Sequence, residues 1–217
     1  MTLGTYRARL RTWYVAFPAL LIIALLLTAC GGKKSDDTSG MDHGGTGSSA
    51  TTTASAPFDQ QFIDMMVPHH MGAVEMAKIA QNRGEHPEIK KLASDIIAAQ
   101  DSEITQMKQW RKTWYGSDQT PSMDHMATLP GMDPSMMSNM MNMGTDIKNL
   151  QTASPFDKAF LNAMIPHHQS AIAAGKIAKD KGDHPEIKTL AGNIITSQQK
   201  ELDQMQQWLK AWYGRTP

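Results

Sequence analysis

Two adjacent histidines stand among methionines and alanines in a stretch typical of a helix, and the chain contains this arrangement twice. The first copy is MMVPHHMGAVEMAKIA, from Met65 to Ala80, and the second is AMIPHHQSAIAAGKIA, from Ala163 to Ala178. Thioether sulfur and imidazole nitrogen suit Cu(I) and the similarly soft Ag(I), whereas magnesium, calcium and manganese prefer oxygen. The pattern therefore indicates either a soft-metal site or polar groups that are satisfied inside a helical core.

The two copies belong to a longer internal repeat. Residues 58–116 align with residues 156–214 at a constant offset of 98, without a gap, and just over half of the aligned positions are identical. A duplication this clear indicates that one structural unit is used twice.

Each repeat is predicted to fold into two helices joined by a short turn. In the first repeat, one helix covers about residues 57–82 and is ended by Gly84, and a second covers about residues 87–115. Pro87 suits the first turn of a helix, and Gly116 is predicted to end the helix at its C-terminus.

Residues at seven-residue spacing show which face of the second helix is buried. One row contains Ile89, Ile96, Glu103 and Trp110, and the neighbouring row contains Ala93, Gln100, Met107 and Trp114. These alternating rows form one buried seam, so Glu103 lies in line with isoleucine and tryptophan. A buried charged glutamate must be paired, protonated or bound to a cation.

Folding each hairpin at its turn brings polar and sulfur side chains to one height, because residues equally far from the turn lie level. In the first repeat the level pairs are Met66 with Glu103, His69 with Gln100, and Phe62 with Met107. In the second they are Met164 with Glu201, His167 with Gln198, and Phe160 with Met205.

A single hairpin cannot cover its own apolar seam, so the two hairpins are predicted to pack face to face. The result is an all-α protein, an antiparallel four-helix bundle with a pseudo-twofold axis. The candidate metal ligands of the bundle are Met66, His69, His70, Glu103, Met107, Met164, His167, His168, Glu201 and Met205. The alternative is that methionine fills the core and that a Glu–His pair across the seam satisfies both partners without a ligand.

The connector between the repeats, residues 117–154, is rich in methionine. Eight of the seventeen methionines fall between positions 117 and 144, among Ser, Asp, Asn, Pro and Gly, and are not expected to form a core stripe. The candidate soft-metal ligands here are Met123, His125, Met126, Met136, Met137, Met140, Met141 and Met143. A low-complexity linker or a weak contact surface are the alternatives. Deleting such a polar linker is expected to lower metal capacity without unfolding the helices.

The N-terminal 29 residues have the features of a bacterial lipoprotein signal peptide. Three arginines precede a short apolar run, and small residues come just before Cys30. This order predicts cleavage before Cys30 and lipid on that cysteine, because the run is shorter than the roughly 20 apolar residues of a membrane span. Residues 30–56 are small and polar, as in a flexible tether. We therefore expect a protein anchored by lipid to a bacterial cell membrane, on its extracytoplasmic or periplasmic side.

Composition narrows the chemistry further. Cys30 is the only cysteine, so an intrachain disulfide or thiolate metal cluster is excluded. The formal net charge is zero and the body of the chain has no basic stripe, so nucleic acid is not an expected partner.

The repeat motifs, Phe-Asp-x-x-Phe-(x)₃-Met-(Val/Ile)-Pro-His-His and Gln-x-x-Glu-(x)₃-Met-x-x-Trp, resemble those of the domain of unknown function 305 family. The resemblance covers residues 57–115 and 155–213. It implies a ferritin-like four-helix bundle, and it links some members to extracytoplasmic copper binding and resistance. The positions that it marks are Asp59, Phe62, Met66, His69, His70, Glu103 and Met107, with Asp157, Phe160, Met164, His167, His168, Glu201 and Met205.

The second repeat departs from the first beside its histidines. Met71, Glu75 and Met76 of the first repeat are replaced by Gln169, Ala173 and Ala174. Since two thioethers and a carboxylate are lost, the first repeat is expected to bind metal more tightly.

Three classes of function remain open. The favoured class is a lipid-anchored extracytoplasmic protein that binds Cu(I), or silver, and sequesters or transfers it. The second is a ferritin-like metal-dependent oxidase, although di-iron bundles use several carboxylates and Glu-x-x-His pairs, and no Glu-x-x-His occurs in this sequence. The third is a module that binds another protein without metal.

Overall fold

The computed structural model describes residues 56–214, and this part of the chain contains helices and no strand. The helices are α1 (Phe58–Arg83), α2 (Pro87–Tyr115), α3 (Pro134–Met141), α4 (Met143–Leu150), α5 (Phe156–Lys181) and α6 (Pro185–Tyr213), with a short 3-10 turn at Met123–His125. None of these helices combines the length and apolarity that crossing a bilayer requires. The predicted signal peptide, Cys30 and nearly all of the predicted tether lie outside the described residues.

The ends of the four long helices follow from local sequence. Pro87 and Pro185 occupy the first turns of α2 and α6, where a missing backbone N–H leaves no helical hydrogen bond unmade. Gly116 and Gly214 end the same helices with φ angles of 81° and 64°, in the left-handed region that glycine adopts without strain.

The two hairpins, α1–α2 and α5–α6, share a common core. The core clusters contain side chains from both hairpins, and α1 contacts α5 directly. The predicted all-α, ferritin-like four-helix bundle is confirmed. Pairing α1 with α5 brings the two His-His sequences, one on each helix, to the middle of the molecule.

The connector packs onto the bundle, which differs from the expectation of a solvated linker. Helix α3 contacts α5, and α4 contacts both α1 and α5. Met126, Met140 and Met143 are buried in one cluster with Met66 and Met107. The prediction that the connector methionines lie outside any core was therefore wrong for these three. Helices α1 and α5 have a second apolar side that α2 and α6 do not cover, and the connector covers it.

Candidate metal-binding site

Four buried histidines meet where α1 and α5 contact each other. The rings of His69 and His167 stack, with centroids 3.7 Å apart and planes inclined by 26°. The ring of His70 is 6.0 Å from that of His69, and the ring of His168 is 6.1 Å from that of His167. The pseudo-twofold relation thus brings both His-His pairs to one place.

Each hairpin contains one His–Glu pair. Nε2 of His70 lies 2.7 Å from Oε2 of Glu103, and Nε2 of His168 lies 2.7 Å from Oε2 of Glu201. The glutamate side chains retain 17% and 19% exposure, so they are less buried than the seam pattern predicted. The predicted height of Glu103 was close, but its partner is His70 rather than Met66.

Ser170 fixes the hydrogen positions of the stacked pair. Its hydroxyl donates to the carbonyl oxygen of His167 at 2.7 Å, so its oxygen can only accept from Nε2–H of His69 at 3.0 Å. His167 donates its own Nε2–H to the carbonyl oxygen of His69 at 3.1 Å. Both rings therefore carry a hydrogen on Nε2, which leaves Nδ1 with a free lone pair when the ring is neutral.

Burial keeps these two rings neutral. It is the main cause that lowers the pKa of His69 and of His167 well below 6.5, and the neighbouring histidines lower both pKa values further. A buried cation without a counter-ion is disfavoured. At neutral pH each ring therefore presents an unprotonated Nδ1, the form in which imidazole binds metals.

Eight buried polar atoms of the seam have no hydrogen-bond partner within residues 56–214. They are Nδ1 of His69, His70, His167 and His168 and both side-chain amide atoms of Gln100 and Gln198. Buried polar groups nearly always have partners, and leaving one unpaired costs about 1–3 kcal/mol. Four imidazole nitrogens in this state have the donor chemistry of a site for a soft or borderline metal.

The predicted thioether ligands of the bundle are buried in the core on both sides of the pseudo-twofold axis. Met66 and Met107 belong to one core cluster and Met164 and Met205 to the other, all at 0% exposure. Among residues 56–214 there is no set of three or more His, Cys, Asp or Glu side chains that could hold one metal ion. Which of the predicted residues bind metal stays a prediction.

The connector candidates are distributed between core and surface. Met126, Met140 and Met143 are buried, Met123, Met136 and Met137 are partly exposed, and His125 and Met141 are exposed. His125 Nδ1 lies 3.0 Å from the hydroxyl oxygen of Ser122. The predicted connector ligands therefore do not form one exposed set.

The family model described as domain of unknown function, DUF305, matches residues 59–209. The chain belongs to this family. A solved structure of CopM in its Cu(I)-bound form is similar to this chain, with 40% sequence identity and a TM-score of 0.60. The match covers 72% of this chain and 98% of the CopM chain. CopM has also been solved in Cu(II)-bound and Ag-bound forms.

A solved structure of lower sequence identity has the same fold. A DUF305 fragment from Deinococcus radiodurans is 28% identical with a TM-score of 0.57, over 71% of this chain and 97% of the fragment. An uncharacterized protein of Acanthamoeba polyphaga mimivirus is 47% identical over 49 residues, which are 23% of this chain and 32% of that protein.

Ser170 is a site residue of this DUF305 chain that sequence reasoning missed. Its counterpart in the first repeat, 98 positions earlier, is Gly72. Because glycine has no hydroxyl, His167 bonds the carbonyl oxygen of His69 directly, whereas His69 bonds the serine. The sequence did contain a signal for this difference. About one helical turn after the histidines, the second repeat has a hydroxyl, in Ser170, where the first repeat has no side chain, at Gly72.

Asp59 and Asp157, which the family resemblance marked, lie at the inter-helix turns and away from the histidines. Asp157 is fully buried and accepts hydrogen bonds from the backbone N–H groups of Glu85 and His86, and its Oδ2 lies 2.6 Å from Nδ1 of His86. Asp59 binds Asp183 and His184 in the same way. The first turn of each repeat therefore holds the inter-helix turn of the other repeat, an arrangement we call the reciprocal turn lock.

Stacked aromatic rings cover both halves of the reciprocal turn lock. The ring of His86 lies 3.9 Å from that of Trp212, and the ring of His184 lies 3.8 Å from that of Trp114, each pair nearly parallel. Each of these stacks joins the turn of one hairpin to the last helical turns of the other. Trp114 and Trp212 thus act in packing between repeats.

Proposed function

We propose that this chain binds Cu(I), with Ag(I) as its chemical surrogate, and sequesters or transfers the ion outside the cytoplasm while anchored to a membrane through lipid on Cys30. The ion is cargo in this proposal. The observation that carries the proposal is the group of four buried imidazoles whose Nδ1 atoms have no partner among the described residues. The Cu(I)-, Cu(II)- and Ag-bound structures of CopM, at about 40% identity, support the choice of metal.

The donor set fits a soft ion. Imidazole nitrogen would come from the central histidines, and thioether sulfur would come from Met66 and Met107 in the first hairpin and from Met164 and Met205 in the second. Sulfur and imidazole favour Cu(I) over the hard divalent cations. Because the pKa values of His69 and His167 are low, these two donors need not lose a proton before they bind.

Glu103 and Glu201 would hold the metal-binding histidines in place without binding the ion themselves. Each carboxylate accepts the Nε2–H of a histidine and so fixes which ring nitrogen is free. A carboxylate in this position orients the imidazole and raises its basicity toward a metal. The partial exposure of the two glutamates also brings each pair close to solvent.

A groove on the surface supports access to the second pair. It has a volume of about 450 Å³ and is lined by Glu201 and Trp208 of α6 and by Leu92 of α2, among others. Glu88 and Asp95 line the groove as well, and Glu201, which holds His168, links the groove to the second pair.

Competition titration with Cu(I) under reducing conditions tests the proposal. We expect wild-type protein to bind Cu(I) more tightly than Zn(II) or Fe(II), and the variant Met66→Leu/His69→Ala to lose bound copper while it keeps its helix content. Met65→Leu is the matched control, because Met65 is an equally buried methionine of α1 outside the candidate set. Tighter binding of Fe(II) than of Cu(I), or unchanged copper binding in the double variant, would contradict the proposal.

A further inference from the structure

Two connector sulfurs converge on one glycine of α1. A Cβ atom placed on Gly72 would lie 2.7 Å from Sδ of Met143 and 3.4 Å from Sδ of Met123. The two sulfurs are therefore no farther apart than the sum of these distances. Gly72 is on the turn of α1 that follows His69 and His70, so the connector brings its sulfur within about one helical turn of these residues along α1.

This spacing is compatible with one soft ion. Zinc–thiolate bonds are about 2.3 Å long, and with bonds of similar length an ion held in line between two sulfurs separates them by about 4.6 Å, which lies within the limit above. Neutral thioethers discriminate against hard cations and favour Cu(I) and Ag(I). Sulfurs that merely fill a core would be expected to be enclosed together, whereas here Met143 is 1% exposed and Met123 is partly exposed.

This glycine occurs in the first repeat only. Ser170 occupies the position equivalent to Gly72. Its hydroxyl is hydrogen-bonded to both stacked histidines, through Nε2 of His69 and the carbonyl oxygen of His167. A side chain at position 72 would displace the sulfur of Met143. The second repeat thus has a serine hydroxyl that orders the imidazoles. At the equivalent position the first repeat has a glycine, and the space beside it is filled by sulfur.

We propose that Met123 and Met143 form a two-thioether site for Cu(I) or Ag(I) in the notch at Gly72, and that this pair receives the ion before it reaches the central histidines. The partly exposed Met123 meets the ion first and the buried Met143 draws it inward. Gly72 and His69 are one helical turn apart, and a turn rises about 5.4 Å, so the ion has only a short step to the imidazoles. This inference rests on the proposed function.

The test uses Ag(I) and the full chain, purified in detergent and labelled with ¹³C in its methionine methyl groups. Single variants Met123→Leu and Met143→Leu assign the two signals. We expect these signals to shift at lower Ag(I) concentrations than those of Met66 and Met107. Leucine nearly conserves the volume of methionine, so Met123→Leu/Met143→Leu should fold and should bind one equivalent of Ag(I) fewer than wild type.

Glycine variants test the notch independently of the sulfurs. Gly72→Ala should abolish the early shift of both signals, since a Cβ only 2.7 Å from the Met143 sulfur forces that sulfur to move. Gly192→Ala is the matched control, because Gly192 also lies inside a helix and a Cβ there meets no atom of the described residues within 4 Å. Met132→Leu, at a partly exposed connector methionine outside the candidate set, should leave the titration unchanged.

The outcomes separate this inference from the proposed function. If wild-type protein binds Ag(I) and Cu(I) but the signals of Met123 and Met143 do not move, or if Gly72→Ala behaves like Gly192→Ala, the thioether pair is only packing and copper binding stands. If wild-type protein binds neither ion, the proposed function fails, and the inference fails with it.

Discussion

For single residues, the position of one hydrogen decides what the central histidines can do. Ser170 and the backbone carbonyl oxygen of His69 place that hydrogen on Nε2 of both stacked rings, so every interaction with a ligand has to use Nδ1. The level of Glu103 along the hairpin was predictable from its distance to the turn, and this predicted level is close to that of the histidines. Which of two adjacent histidines faces α2 was not predictable, because it depends on how α1 is rotated against α5.

The stability of the metal-free protein should fall as the pH drops below about 6.5, the usual pKa of histidine. The folded state holds His69 and His167 at pKa values well below 6.5, so below that pH the unfolded chain binds more protons than the folded one. Each histidine then removes about 1.4 kcal/mol of unfolding free energy per pH unit, down to its folded-state pKa.

Urea unfolding at several pH values between neutral and mildly acidic measures this effect. The double variant His69→Gln/His167→Gln should show a shallower pH dependence than wild type. His125→Gln, at an exposed histidine, should keep the wild-type slope. An unfolding free energy that is constant across this pH range would show that the stacked rings are not held neutral by burial.

Glu103→Gln separates a metal-supporting carboxylate from a structural ion pair. The amide oxygen of glutamine can still accept Nε2–H of His70, but the negative charge is gone. We expect Cu(I) affinity to fall roughly 10–100-fold, as for other carboxylates behind metal-binding histidines. The metal-free protein should be no less stable, because the change removes a largely buried charge and keeps the hydrogen bond to His70. Competition titrations beside thermal melts measure both quantities. A less stable metal-free variant with unchanged copper affinity would identify the pair as core structure alone.

For whole elements, the four long helices were predictable and the connector was not. Proline and glycine act on their own backbone, so the ends of α2 and α6 could be located without knowledge of the rest of the chain. The burial of Met140 and Met143 depends on a surface that exists only after α1 and α5 have paired. Polar neighbours in the sequence therefore concealed their role in the core.

Met140→Ala should destabilise the protein by about 2–5 kcal/mol, the usual range for removing a fully buried methionine side chain. The adjacent variant Met141→Ala is the control, because Met141 is 53% exposed and Met140 is 0% exposed. Urea unfolding of both variants at neutral pH gives the comparison. Equal free energies of unfolding would mean that the connector does not pack on the bundle in solution, and would restore the expectation that its deletion leaves the helices folded.

In the whole molecule, the reciprocal turn lock joins two hairpins that contact each other through α1 and α5. Asp157→Ala removes a fully buried acceptor of the Glu85 and His86 backbone N–H groups, and hydrogen bonds to charged groups contribute about 1.5–3 kcal/mol each. We therefore expect a loss of about 3 kcal/mol or more in unfolding free energy.

Asp95→Ala is the control for this variant. Asp95 pairs with Lys91 on the exposed surface of α2, and such a pair contributes about 0–1 kcal/mol. Thermal or urea unfolding of the two variants should show a clear difference. Equal losses would show that the turns are held by their stacked rings and not by the aspartates.

The reciprocal turn lock also determines how the protein comes apart. Once either hairpin opens, the other loses the aspartate that holds its own turn, so a half-unfolded state has no intact half. Although the sequence is duplicated, the two repeats should unfold as one cooperative unit. Calorimetry should record a single transition whose calorimetric and van't Hoff enthalpies agree. Two resolved transitions would mean that the repeats are independent modules.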